Sequence, residues 1–110
     1  MTTFTREDYE MAAKAVGFDS FDWLAADNRM NVYTPEGRQS SWNPITDDGD
    51  ALRLAAKLGL TIHAHPLTMS ASQFGKVEYL GGWVDRTLDD EADYRACIFR
   101  AAIAIGRAMP

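Results

Sequence analysis

The segment from Ser41 to Leu60 constrains the fold most, because it contains the signals for a helix start, a helix body and a helix stop in succession. Asn43 before Pro44 has the form of an N-cap followed by proline at the first helical position, where its missing N–H costs nothing. Thr46 or Asp47 can cap again, so the pattern predicts a short turn before the main helix. Carboxylates then follow where the positive end of the helix dipole favours them, at Asp47, Asp48 and Asp50.

The body of this helix has one apolar stripe and one charged side. Arg53 and Lys57 are predicted to face solvent, and Gly59 is predicted to end the helix. The inward stripe consists of Ala51, Leu54, Ala55 and Leu58.

Two further helices carry similar signals. Thr5 and Asp8 are spaced as a capping box for a first helix that ends at Val16 before Gly17. Thr87 is predicted to open the last helix and Gly106 to stop it. This last helix has two apolar stripes, which predict either packing on two sides or a subunit interface. They consist of Tyr94, Ile98, Ala101, Ala102 and Ile105, and of Phe99 and Ile103.

The remaining segments predict strands. Phe18 to Thr34 alternates as a β-hairpin with its turn at Ala26–Arg29, and Leu60 to His65 alternates as a third strand that ends before Pro66. Leu67 to Gly75 is small and polar, typical of a loop. Lys76 to Val84 is predicted as the fourth strand, with a bulge or close backbone approach at Gly81-Gly82.

The predicted fold class is α+β, in the order α-β-β-α-β-β-α. Two hairpins would join into one four-stranded, mainly antiparallel sheet, and the three amphipathic helices would bury their stripes against it or against each other. A length of 110 residues predicts a single domain over 1–110.

The tryptophan-asparagine-proline sequence at Trp42–Pro44, followed by the acidic helix start, resembles segments of small uncharacterised bacteriophage and prophage proteins. These proteins resemble the phage ABA (α-β-α) sandwich domain family. The resemblance covers Trp42 to Leu60 well and the alanine-rich last helix loosely. It implies a sandwich fold and a phage accessory role, since small phage proteins of this type often inhibit host machinery, including restriction or CRISPR defence.

Charge and cysteine content restrict the partners and the compartment. The 16 acidic and 11 basic residues give a net charge of −5 without a basic run, which argues against direct nucleic-acid binding. Cys97 is the only cysteine, so no intrachain disulfide can form and a reducing cytoplasm is the expected location. The start of the chain lacks a signal-peptide pattern, and no apolar run is long enough to span a bilayer.

His63 and His65 are the strongest indication of an enzyme, because residues i and i+2 on a strand point the same way and can share one metal ion. A catalytic zinc needs a third protein ligand, for which Glu78, Asp85 and Cys97 are candidates. The alternative is that both histidines lie on a solvated or helix-covered face of the sheet. Cys97 itself lies in an apolar helix and is predicted to be a buried structural thiol rather than a nucleophile. No cofactor is predicted.

The acidic residues have three interpretations. Asp47, Asp48 and Asp50 could suggest a calcium loop, but they lack the ligand spacing and distal glutamate of an EF-hand, and helix capping accounts for them. The third interpretation is a mimic of a nucleic-acid backbone, with carboxylates presented in rows to a basic groove. Its clusters would be Asp19/Asp22, Asp47/Asp48/Asp50 and Asp85/Asp89/Asp90/Glu91/Asp93.

Trp23, Trp42 and Trp83 are expected first as core or core-rim residues. Trp42 precedes a proline turn and falls on no apolar stripe, so it is the candidate for an exposed binding residue, together with Asp47, Asp48 and Asp50.

The sequence thus favours a non-enzymatic phage accessory protein that binds a host or phage protein. The alternatives are a small metal-dependent enzyme built on His63 and His65, and a self-associating module that dimerises through the last helix.

Overall fold

The computed structural model describes residues 4–18, 20–24, 29–33, 39–65, 67–73, 80–85, 87 and 89–109. The chain folds as an α+β structure in the order α-β-β-β-α-β-β-β-α. The elements are α1 Arg6–Val16, β1 Ser20–Leu24, β2 Arg29–Tyr33, β3 Gln39–Trp42, α2 Asp48–Leu58, β4 Leu60–Ala64, β5 Thr68–Gln73, β6 Leu80–Asp85 and α3 Asp90–Ala108.

The predicted signals of the first two helices are confirmed. Thr5 caps α1 in a capping box with Asp8, and Asp47 caps α2 by accepting a hydrogen bond from the Asp50 N–H. Gly17 and Gly59 follow the two helices with φ of +82° and +63°, a left-handed conformation that glycine adopts at low cost. The predicted turn before α2 is also present, since the Thr46 and Asp47 N–H groups both donate to the Asn43 carbonyl.

The predicted ends of the last helix are wrong. Asp89, not Thr87, caps α3 by accepting from the Ala92 N–H, and the helix continues past Gly106 to Ala108. Gly106 is buried inside the helix, where α3 lies directly against the backbone of Met11 on α1. Its lack of a side chain therefore permits close packing of two helices and does not end one.

The single four-stranded sheet is also wrong. The structure has two three-stranded antiparallel sheets, β1-β2-β3 and β4-β5-β6. The predicted hairpin is confirmed as β1–β2, but β3 was not predicted, and β5 occupies most of the predicted loop at Leu67–Gly75. Both additional strands are short and rich in serine, and each pairs with the strand that precedes it in the chain.

The fourth predicted strand is confirmed only in its second half, as β6, while 76–79 lie outside the described residues. The predicted bulge at Gly81-Gly82 is absent from the pairing with β5, and the alternative of a close backbone approach stays a prediction. The register between β5 and β6 runs without interruption from Thr68↔Asp85 to Gln73↔Leu80, and both glycines are paired within it.

Helix α3 lies at the centre of the molecule. One side packs with α1, α2 and the first sheet around Phe99, which is fully buried. The opposite side packs on the second sheet in a smaller cluster, formed by Met69, Ala71, Cys97 and Ala101. Both apolar stripes of α3 are thus used within the chain, which is one of the two arrangements that its composition predicted.

Candidate functional site

An open pocket of about 470 Å³ lies between strand β3 and helix α2. Its volume is in the range of small-molecule and side-chain binding sites in proteins. Three parts of the chain form it: the end of α1, the edge of the first sheet and one face of α2. The lining residues are Val16, Phe18, Ser40, Ser41, Trp42, Asp50, Arg53, Leu54 and Lys57.

The contribution of α2 follows from its periodicity. Its four lining residues have the spacing i, i+3, i+4 and i+7, which places them along one face of the helix. The apolar Leu54 lies at the buried edge of this face, whereas Arg53 and Lys57 are exposed. The pocket therefore has an apolar interior and a rim that includes two cations.

Strand β3 forms the opposite wall and is the edge of its sheet. It pairs with β2 and with no other strand among the described residues. Gln39, Ser40 and Ser41 are exposed, and only Trp42 at the end of the strand is buried. An edge strand presents unpaired backbone N–H and C=O groups, so this wall can accept main-chain hydrogen bonds from another chain or donate them to it.

Asp50 joins the two walls. Its Oδ2 accepts from the Asn43 N–H at 2.9 Å, just after β3, and its Oδ1 accepts from Arg53 at 2.7 Å. This hydrogen bond to Asp50 is the main cause that raises the pKa of Arg53, and a second carboxylate, that of Asp47, lies 3.7 Å from the same guanidinium. Arg53 thus forms ion pairs with two carboxylates of its own chain.

Lys57 differs from Arg53 in this respect. The ammonium group of Lys57 forms no ion pair within the described residues, although its side chain lines the pocket and is exposed. Lys57 is therefore the cation of the rim that is placed to attract an acidic group of a ligand.

The prediction that Trp42 is exposed is wrong, because only 5% of its surface is accessible. Its ring packs edge-to-face against Phe18 at a centroid distance of 5.4 Å and against Tyr9 at 6.5 Å. The cause is the strand register: Trp42 is paired with Met30, which is fully buried, and paired residues share one face of a sheet. Trp42 belongs to the core and reaches the surface only as part of the pocket wall.

The three predicted acidic binding residues have structural partners. Asp47 caps α2, Asp50 ties α2 to the end of β3, and Asp48 forms an ion pair with Arg95 on α3. Capping by Asp47 and the position of all three at the helix start agree with the sequence, whereas the partners of Asp48 and Asp50 were not predicted. The calcium interpretation gains no support, because the described residues contain no group of three or more metal-ligating side chains.

The structure argues against part of the predicted nucleic-acid mimic, in its largest acidic cluster at the start of α3. Asp93 is only 3% exposed and accepts hydrogen bonds from both the backbone N–H and the hydroxyl of Thr87. Asp89 is committed to capping α3. Both carboxylates fix the start of the helix, but only Asp93 is removed from a surface row by burial, because Asp89 is exposed. Asp19 lies outside the described residues.

His63 lies on β4 and His65 directly follows it; both are exposed, with ring centroids 6.5 Å apart and ring planes inclined by 14°. The predicted third metal ligand is not brought to them: Glu78 lies outside the described residues, and Asp85 and Cys97 form no three-residue group with them. Cys97 is fully buried, and burial raises the pKa of its thiol to about 11, which keeps it protonated and unreactive at neutral pH.

Sequence reasoning missed Ser40 and Ser41 as site residues, because nothing in a short polar segment indicates a strand. The sequence did indicate the α2 wall, since its lining residues are spaced as one helical face: Asp50, Arg53, Leu54 and Lys57.

Comparison with family models, with curated proteins and with solved structures returned no match. Membership of the phage family therefore stays a prediction. Within the described residues, no helix is both long enough and apolar enough to cross a bilayer.

Proposed function

We propose that this protein is a non-enzymatic accessory protein that acts by binding another protein at the β3–α2 surface. This surface comprises the exposed edge of β3 at Gln39–Ser41 and the pocket beside it. The observation that carries the proposal is this juxtaposition: an edge strand with exposed polar side chains runs along a pocket with an apolar interior.

Strand addition uses such a surface directly. An extended segment of a partner can pair with an exposed sheet edge through main-chain hydrogen bonds, while pockets for alternate side chains supply specificity. The apolar side chains of Val16, Phe18 and Leu54 would receive one apolar side chain of the partner. Lys57 at the rim would favour an acidic residue next to it.

The resemblance to phage proteins supports a biological setting. The resembling segment, Ser41 to Leu60, includes the end of β3 and all of α2, which form two of the pocket walls. We propose a host or phage protein as the partner, with inhibition of host defence as the outcome of binding. Binding that blocks a partner requires a complementary surface and no reaction centre, which agrees with the use of Asp47 and Asp89 in capping and of Asp48 in an ion pair.

Affinity capture from a bacterial lysate, with quantitative mass spectrometry, tests the proposal when variants of the surface are compared. Ser40→Trp places a bulky side chain in the pocket, and Lys57→Glu reverses the charge at its rim. We expect each variant to lower the yield of the captured partner by at least about tenfold, which corresponds to 1.4 kcal/mol of binding free energy.

Matched controls test whether loss of the partner is specific to substitutions at the β3–α2 surface. Thr61→Trp introduces the same bulk at an exposed strand position of the other sheet, and Arg6→Glu introduces the same charge reversal ten residues before Val16, about 15 Å along α1. Both controls should retain the partner. The proposal fails if no protein is enriched by the unmodified chain, or if the pocket variants and the controls recover the partner equally.

A further inference from the structure

The second sheet carries a pair of histidines that the β3–α2 surface does not use. His63 lies on β4, and His65 directly follows the last residue of that strand, where its N–H still donates to the Thr68 carbonyl at 2.8 Å. Residues i and i+2 of an extended chain point the same way, so the two side chains leave the same face. Both residues are exposed, and their rings stand nearly parallel with centroids 6.5 Å apart. This separation is close to the distance between residues i and i+2 on a strand, about 6.4–6.8 Å, so each ring stands almost straight out from its own Cα.

We propose that His63 and His65 together form a surface site for a divalent transition metal ion of the zinc, nickel and copper class. Imidazole nitrogen is a favoured ligand of these ions, whereas Mg²⁺ and Ca²⁺ prefer oxygen. With metal–nitrogen distances of about 2.0–2.1 Å, tetrahedral geometry places the two nitrogens roughly 3.3 Å apart. Two exposed side chains can reach this separation by tilting toward each other through side-chain rotation alone.

In the part of the chain that the structure describes, the site has two protein ligands, and water would occupy the remaining positions of a bound ion. Within the described residues no third histidine, cysteine or carboxylate joins the pair. The thiol of Cys97 does not compete for the ion, because it is buried and its raised pKa of about 11 disfavours the thiolate that metals bind. A two-ligand surface site does not contribute to the core, so the metal should bind without changing the fold.

Calorimetric titration of Ni²⁺ into protein that carries no affinity tag tests the site. The unmodified chain should bind one ion per chain. His63→Ala and His65→Ala should each weaken binding by at least about tenfold, because loss of one ring removes the high effective concentration that the second ligand provides. Both substitutions are at exposed positions, one on β4 and one directly after it, and far-UV circular dichroism should show an unchanged fold.

A rescue variant tests whether the spacing itself creates the site. Thr61 is exposed and lies two residues before His63 on the same face of β4. Adding Thr61→His to the His65→Ala variant rebuilds an i, i+2 pair one step along the strand and should restore the affinity for Ni²⁺. The proposal is overturned if the unmodified chain binds no Ni²⁺ up to about 1 mM. It is also overturned if either single variant binds as tightly as the unmodified chain, or if the rescue variant binds no better than His65→Ala.

Discussion

Replacement of Gly106 by alanine provides a direct test of how α1 and α3 pack. Alanine is normally the better helix former by about 1 kcal/mol, so local propensity alone predicts that the variant is more stable. The structure predicts the opposite sign. A Cβ at Gly106 would lie 2.0 Å from the carbonyl oxygen of Met11 and 2.7 Å from its carbonyl carbon.

These contacts are with backbone, which cannot rotate away as the end of a side chain can. Ordinary contact begins at 3.4 Å, so α1 and α3 would have to separate by at least about 1 Å. Overpacking of this kind costs about 1–3 kcal/mol or more, and the shift would loosen the contacts of Tyr9 and Ala12 with α3. Because the contact is with backbone, we take the upper end of this range, about 3 kcal/mol. Subtraction of the gain in helix propensity of about 1 kcal/mol leaves an expected net loss of about 2 kcal/mol, or roughly 8 °C in Tm.

Urea unfolding followed by circular dichroism measures this loss, with two controls. Ala104→Gly in the same helix should cost only the propensity difference of about 1 kcal/mol. Gly17→Ala meets no atom within 4 Å, and its cost of about 1 kcal/mol should come from the left-handed backbone conformation alone. A Gly106→Ala variant as stable as the unmodified chain, or more stable, would refute the close approach of the two helices.

Three further predictions concern the cap of α2, the buried thiol and the oligomeric state. Asp47→Ala should lower the free energy of unfolding by about 1 kcal/mol, measured by urea titration, because the Asp50 N–H loses its acceptor. Asp47→Asn should retain most of this stabilisation, since asparagine can also accept at an N-cap. Equal losses of stability in the two variants would contradict the cap. Burial raises the pKa of Cys97 from 9.0 to about 11, so the unfolded chain releases this proton first and stability should fall as the pH rises from 9 to 11. Urea midpoints at the two ends of this range should show the decrease, and it should be smaller in Cys97→Ala; an equal decrease in both proteins would exclude the thiol as its cause. Light scattering at high concentration should give the mass of a single chain, since the apolar stripes of α3 are buried within the chain except at Tyr94, which is 41% exposed. A dimer that dissociates when Tyr94 is replaced by a charged residue would contradict this.

The helices could be predicted from the sequence because their signals are local. A cap such as Thr5 with Asp8 lies within one turn of the residues that it stabilises, and a following glycine such as Gly17 ends the helix within the same short segment. Gly106 has the same sequence pattern as Gly17 but a different role. The sequence contains no indication that another helix lies against Gly106, since that contact joins residues far apart in the chain.

The sheets were harder to predict for the same reason. Strand β3 is polar along most of its length and exists because it pairs with β2, so neither propensity nor alternation indicates it. The burial of Trp42 depends on the register of that pairing, because a shift by one residue would have turned its side chain outward. The β3 wall of the candidate site is formed by strand pairing and could not be predicted from local sequence. Only the α2 wall could be predicted, from the helical spacing of its residues.

The most direct test of the β3–α2 surface is hydrogen exchange of the chain, measured with and without the partner that affinity capture identifies. Strand addition predicts that new protection is concentrated in the backbone amides of Gln39–Trp42, with weaker protection along the Asp50–Lys57 face of α2. Protection that appears instead on β4–β6 or along α3, with the amides of β3 unchanged, would contradict it.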